Sequence, residues 1–165
     1  MTNKNKSNTN KKITIDSSIV ISLLKEDVFF QEIVDLVQII KKLGIEVIMS
    51  YITYAEIWSG VVSSKSPETD ELKINKVLYE LLEVNLTDFN ITIARDTTVA
   101  FMSYKKMKGK RESFIPDFLI GAHAKYYTNL FLTTTPRDFL KYFPALQVLT
   151  PKEFITSISH EKYSE

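Results

Sequence analysis

Apolar and polar positions along the chain switch repeatedly between a period of two and a period near four. Ile13-Thr14-Ile15 is a short run of β-branched residues, and Asp16-Ser17-Ser18 supplies a helix start before Ile19-Val20-Ile21-Ser22-Leu23-Leu24. Ile33, Leu36, Val37 and Ile40 recur at helical spacing and close near Gly44. Residues 45–49 form a second buried-strand run, and 51–64 read as a helix. Ser66-Pro67 opens another helix that continues through Leu82. The pattern then predicts a short strand at 83–86, a long helix at 91–108 and a helix from Pro116 to about Tyr127. Strands follow at 130–133 and 147–149. Thr150-Pro151-Lys152-Glu153 has the form of a capping box that opens a final helix. Strands alternating with helices predict an α/β fold: a mostly parallel, roughly five-stranded sheet covered on both faces.

A chain of 165 residues without repeats is one domain, with length enough for a substantial core. The absence of Cys removes disulfide scaffolds, thiolate zinc sites, iron–sulfur clusters and cysteine nucleophiles. His123 and His160 are the only imidazoles, so a two-His helical zinc motif cannot be written. The four glycines are too scattered for a dinucleotide fingerprint or a P-loop. Carboxylates, hydroxyls and amines remain as chemical tools. The net charge of +1 conceals an uneven distribution. Residues 1–12 hold Lys4, Lys6, Lys11 and Lys12 and no acid; without these four, 17 basic residues face 20 acidic ones. We read 1–12 as a disordered basic tail, 13–158 as the domain and 159–165 as a polar C-terminal tail. The tail either touches a polyanion or only aids solubility. No secretory signal follows the lysines and no run approaches a membrane span, so a cytoplasmic location is expected.

In parallel sheets, ligands bind beyond the carboxyl ends of the strands. Four acids fall near such positions: Asp16 after the first strand, Glu56 in the helix after the second, Asp117 in the first turn beside Pro116, and Asp138 shortly after the 130–133 strand. Each also has a plain structural explanation. Asp16 suits an N-cap, Asp117 complements a helix dipole, and Asp138 suits a capping box with Thr135. Glu56 lies in a helix that is apolar nearly all round, so it needs a partner if that helix is buried. An ion pair would serve Glu56 as well as a metal. As a set, three or four converging carboxylates repel one another, and a divalent cation resolves that repulsion. Oxygen ligands without His or Cys favour Mg²⁺ or Mn²⁺, and such a site suits a phosphodiester substrate.

Ile15-Asp16-Ser17-Ser18, the 50–60 stretch with Glu56 and Gly60, Ile115-Pro116-Asp117-Phe118 with Gly121-Ala122-His123-Ala124, and Leu132-Thr133-Thr134-Thr135-Pro136-Arg137-Asp138-Phe139 occur in that order. Together they resemble the PIN domain, most closely the VapC-type ribonuclease toxins of toxin–antitoxin pairs, over residues 12–157. The resemblance implies a PIN-like three-layer α/β/α sandwich and an acidic pocket for Mg²⁺ or Mn²⁺. It places Asp16, Glu56 and Asp117 at the three near-invariant acids and Asp138 at a more variable fourth. Ser18 and Thr133 match hydroxyl residues that support the pocket. It further implies RNA cleavage, a homodimer, and a cognate antitoxin protein as partner. Two positions depart from the family pattern. Thr135 stands where Asn or Asp is frequent, which bears on second-metal binding. Gly121 replaces a usual alanine, which we read as a harmless change that allows closer packing.

Lys105, Lys106, Lys108, Lys110 and Arg111 crowd just ahead of Asp117. They read either as a grip on the phosphates beside the scissile bond or as a solvated helix end. Tyr104, Tyr126 and Tyr127 are open to base stacking, but core or interface roles suit them better. The Tyr51/Tyr54/Trp58 face reads as core or dimer contact, and His123 as a packed or surface residue. Two alternatives to a toxin stand beside it: an RNA-processing PIN nuclease without antitoxin, and a non-catalytic PIN-like module that binds RNA or protein.

Overall fold

The computed structural model of the protein describes residues 11–107, 109 and 116–161. Five strands, β1 (Lys12–Ile15), β2 (Glu46–Ser50), β3 (Asn85–Thr87), β4 (Leu130–Leu132) and β5 (Gln147–Leu149), form one sheet in the order β3-β2-β1-β4-β5. Every pairing is parallel. Short strands of β-branched and aliphatic residues, buried from both sides, are what a fully covered parallel sheet demands. The chain winds outward from β1 to β3, then returns across the sheet to place β4 on the free side of β1. The order therefore reverses between β1 and β4, where Ile15 lies in register with Leu132.

The helices are α1 (Ser17–Lys25), α2 (Phe30–Leu43), α3 (Tyr51–Val62), α4 (Pro67–Asn75), α5 (Ile91–Lys106), α6 (Pro116–Tyr127), α7 (Arg137–Leu140) and α8 (Pro151–Glu161). Alternation along the strands divides the core in two. Ile13, Ile15, Val47, Met49, Leu130 and Leu132 face α1–α4 and α8. Phe131 and Val148 face the other way, onto Phe101 of α5, Phe118 and Ile120 of α6, and Phe139 of α7. This is the three-layer sandwich, and its sheet is parallel throughout. None of the described helices is long and apolar enough to cross a membrane.

Local chemistry sets several ends. Gly44 takes φ +62° and returns its N–H to the Ile40 and Lys41 carbonyls, a left-handed cap suited to a residue without Cβ. The capping box forms at α8. The Thr150 N–H donates to Glu153 Oε2 at 2.8 Å, and the Glu153 N–H donates to Thr150 Oγ1 at 3.2 Å.

Three expectations need correction. The helix from Pro67 does not run unbroken to Leu82; after Asn75 the chain enters a π-helical turn over Lys76–Leu81. Val77 and Leu78 are both in the core, at 7% and 0% exposure, three and four positions after Ile74, so apolar spacing alone does not distinguish this turn from a continued α-helix. α3 is not buried all round: Thr53, Ile57 and Val61 form its inner stripe, while Tyr51 and Val62 are exposed. Tyr54 and Trp58 stack at 5.8 Å and pack at the edge of the first core cluster. The Thr135–Asp138 capping box does not form. The Thr135 carbonyl takes the Asp138 N–H at 3.3 Å, and its hydroxyl lies 3.4 Å from Thr133 Oγ1. The terminal boundaries also shift. Lys12 belongs to β1 and ion-pairs with Glu46 at 2.8 Å, and α8 continues to Glu161. Residues 1–10 and 162–165 of the expected tails lie outside the described residues.

Gly121 is a packing requirement. A Cβ built there would lie 2.3 Å from Cε2 of Phe143, whose ring is itself buried against α6. Gly121→Ala should therefore destabilise the protein by about 1–2 kcal/mol, because overpacking outweighs the gain of Ala over Gly in a helix interior. Urea denaturation checks this, and a more stable variant would show that the ring relaxes freely.

Candidate active site

Asp16 follows β1 directly, and its backbone is still held by the sheet: its N–H donates to the Leu132 carbonyl at 3.0 Å. Thr133, one residue past β4, is held likewise through its N–H to the Leu149 carbonyl at 3.1 Å. The two residues sit side by side at the reversal of strand order, where parallel α/β sheets open a crevice. Asp16 occupies the N-cap position of α1, but its side chain makes no capping bond. The carboxylate turns to side chains instead.

Proton counting shows how it is held. The Ser18 hydroxyl donates to Asp16 Oδ2 at 2.9 Å and accepts the Thr134 N–H at 3.1 Å. The Thr133 hydroxyl donates to the same Oδ2 at 2.8 Å and accepts the Thr135 N–H at 3.1 Å. Each hydroxyl has one proton, and both protons are committed to Oδ2. Asp16 is only 6% exposed, so these charge-assisted bonds offset part of the cost of burying an anion. Ser18 and Thr133 thus hold the same oxygen of Asp16 from two different segments of the chain.

Glu56 arrives from α3, whose first turn is fixed by the Ser50 hydroxyl accepting the Thr53 N–H. Its Oε2 accepts a hydrogen bond from Ser17 Oγ at 2.8 Å. Burial is the largest influence raising its pKa above the ordinary carboxylate value. The Ser17 bond opposes this, and the charges of Asp16 and Asp117 raise it further. Those influences put Asp117, in the first turn of α6, within electrostatic range of the same point. Among the described residues, no Lys or Arg forms an ion pair with Asp16 or Glu56.

Asp138 stands apart, exposed on α7 and absent from the charges that act on Glu56. Among the described residues, no group of three or more His, Asp or Glu side chains is gathered closely enough, as placed, to hold a metal ion. The donor set itself, hard carboxylate and hydroxyl oxygens with no nitrogen or sulfur, matches the chemistry of Mg²⁺ or Mn²⁺. Lys105 and Lys106 close α5, while Lys108, Lys110 and Arg111 fall outside the described residues. Tyr104 and Tyr127 pack in the second core cluster, and Tyr126 is exposed.

Sequence reasoning missed Ser17. Its signal was present only as the middle residue of Asp-Ser-Ser, and nothing in spacing alone points it at a helix 39 residues away. His123 is fully buried, with Nε2 2.8 Å from Thr87 Oγ1 and its ring between Phe89 and Tyr127.

Comparison with known proteins places this arrangement. No curated protein matches the chain. Among solved structures, the VapBC2 complex of Rickettsia felis bound to a DNA fragment from their promoter aligns with a TM-score of 0.68 at 19% identity, covering 84% of this chain and 98% of that one. VapBC-1 of nontypeable Haemophilus influenzae aligns at 0.64 and 22% identity, covering 86% and 98%. DNA-bound VapBC of Salmonella typhimurium aligns at 0.65 and 15%, again over 86% and 98%. At these identities the likeness is one of fold. The PIN domain family model, however, matches residues 13–142, from the first residue of the β1 core through α7. With most of its length matched by that model, this chain belongs to the PIN domain family.

Proposed function

We propose that the protein is a metal-dependent endoribonuclease that hydrolyses RNA phosphodiester bonds, and that it is the toxin of a VapBC-type pair. The observation that carries this reading is a buried acid, Asp16, beside a second acid, Glu56, with no cationic side chain paired to either among the described residues. Two neighbouring carboxylates at a strand-order reversal have a reason to stay uncompensated if a cation completes them. PIN domains are in general nucleases, which supports hydrolysis as the chemistry.

In this reading Asp16, Glu56 and Asp117 hold Mg²⁺ or Mn²⁺, with Asp138 of α7 as the fourth acid of the set. The cation supplies Lewis acidity and an activated water when bound. The chain's own residues do the rest. Ser18 and Thr133 fix the Asp16 carboxylate, and the sheet fixes their backbones. Lys105, Lys106, Lys108, Lys110 and Arg111 grip the flanking phosphates. The VapBC likenesses support an antitoxin partner, and the family resemblance extends to a homodimer.

The test is cleavage of RNA by the purified protein in Mg²⁺, in excess EDTA, and after metal is restored. The expected result is cleavage that EDTA abolishes and added Mg²⁺ or Mn²⁺ recovers; cleavage unchanged in EDTA overturns the reading. A second reading draws on the absence of a tight three-acid cluster among the described residues: a non-catalytic module. Calorimetry showing no Mn²⁺ binding, with RNA still retained at low salt, would favour it.

A further inference from the structure

The two oxygens of Asp16 are treated differently. Oδ2 takes both hydroxyl protons, from Ser18 and Thr133. Oδ1 has only Ser17 Oγ nearby, at 3.5 Å, at the outer limit of a hydrogen bond. Ser17 has a single hydroxyl proton, and its short contact is with Glu56 Oε2 at 2.8 Å. Oδ1 is therefore left without a committed donor among the described residues, on the side that faces Glu56. Ser17 spans the gap between an acid fixed to the sheet and an acid carried on a helix.

We infer that Ser17 is a positioning residue: its hydroxyl ties Glu56 of α3 to the Asp16 corner of the sheet, so that Asp16 Oδ1 and the Glu56 carboxylate face one cation. This rests on the metal-site reading above and adds to it a division of labour. Ser18 and Thr133 orient Asp16, and Ser17 orients Glu56 toward it. Without Ser17, α3 still packs through Thr53, Ile57 and Val61, but nothing else in the described structure directs the Glu56 side chain inward. Its exposed alternative is solvent, where a free carboxylate is better hydrated. The site would lose preorganisation while the fold stays intact.

The experiment titrates Mn²⁺ into the full-length protein without RNA, reading free Mn²⁺ by electron paramagnetic resonance, for wild type, Ser17→Ala, Ser17→Thr, Ser17→Cys and Asp16→Asn. Ser17→Ala is expected to weaken Mn²⁺ binding about tenfold or more, the usual effect of losing a group that orients a metal ligand. Ser17→Thr keeps the hydroxyl and is expected to stay within about twofold of wild type. Ser17→Cys keeps the bulk but donates weakly, and is expected to follow Ala. Thermal melts confirm folding; if Ser17→Ala folds poorly, the contrast of Cys with Thr carries the same comparison. Binding by Ser17→Ala or Ser17→Cys equal to wild type overturns the role of Ser17. Wild type that binds Mn²⁺ no better than Asp16→Asn overturns the metal site itself, a separate result.

Discussion

Asp16→Asn is expected to lower Mg²⁺-supported RNA cleavage by about a hundredfold or more, on the order of 3 kcal/mol of lost transition-state stabilisation, while the protein remains folded. The hydrogen bonds at Oδ2 dictate how the new side chain sits. Ser18 and Thr133 both donate to that position, so the Asn carbonyl oxygen must take it and the amide nitrogen must turn to the Oδ1 side. A donor then stands where an anionic acceptor faced Glu56, and a cation loses a ligand and meets an N–H dipole of the wrong sign. Stability moves in the opposite direction. Glu56 is pushed toward protonation partly by the Asp16 charge, so neutralising Asp16 removes a repulsion from the metal-free protein. A gel-based cleavage assay and a thermal melt of the same preparation check both statements. Residual cleavage above a tenth of wild type would remove Asp16 from the catalytic set. A large drop in melting temperature would show that its main role is to hold the two loops together.

Acid should unfold the protein partly through a single histidine. His123 is fully buried on α6, and burial lowers its pKa from 6.5 to about 4. Its Nδ1 has no hydrogen-bond partner among the described residues. The unfolded chain takes up a proton as pH falls below about 6.5, whereas the folded protein does not until about pH 4. Protonation in that window favours the unfolded state, so stability is full above pH 7, falls as pH drops toward 4 and levels off below it. The contribution is about 3 kcal/mol across the window. Glu46, with its pKa lowered by Lys12 and Asn85, also loses stability in acid, and Glu56, with a raised pKa, works against the trend. Comparison with His123→Gln isolates the histidine. Urea denaturation at pH 7.5 and pH 4 should show the variant losing about 3 kcal/mol less than wild type. Equal losses would mean that His123 gains a proton in the fold or that water reaches its ring.

The fold was largely legible because its determinants are local and repeated. Ile13 and Ile15 point one way from β1 and Thr14 the other, and this alternation requires a layer on each face. Asp16 stood out in the sequence for a related reason: it is the first residue beyond β1, so a strand boundary in sequence is a position at the crevice in space, whereas Thr133 was read inside the 130–133 strand and drew attention only through the family resemblance. What escaped depended on contacts that spacing does not encode. The π-helical turn at Lys76–Leu81 leaves no trace in the apolar pattern, because Ile74, Val77 and Leu78 fit α-helical spacing equally well. Gly121 reads as a neutral change until the ring of Phe143, on the connection that follows α7, is seen to fill the space beside it. Ser17 gains its meaning only when α3 brings Glu56 to it.

The position of β4 beside β1 also has a consequence for synthesis of the chain. Thr133 donates to Asp16 across 117 residues of sequence, and β1 stays open on that side until β4 arrives. Contacts of such high sequence separation form late, because a long loop must close before they contribute. A growing chain that has already exposed Asp16, Glu56 and Asp117 still lacks one of the two donors that orient Asp16. The crevice is completed only once Thr133 has been made, so a product that stops short of it carries Asp16, Glu56 and Asp117 without the frame that sets them.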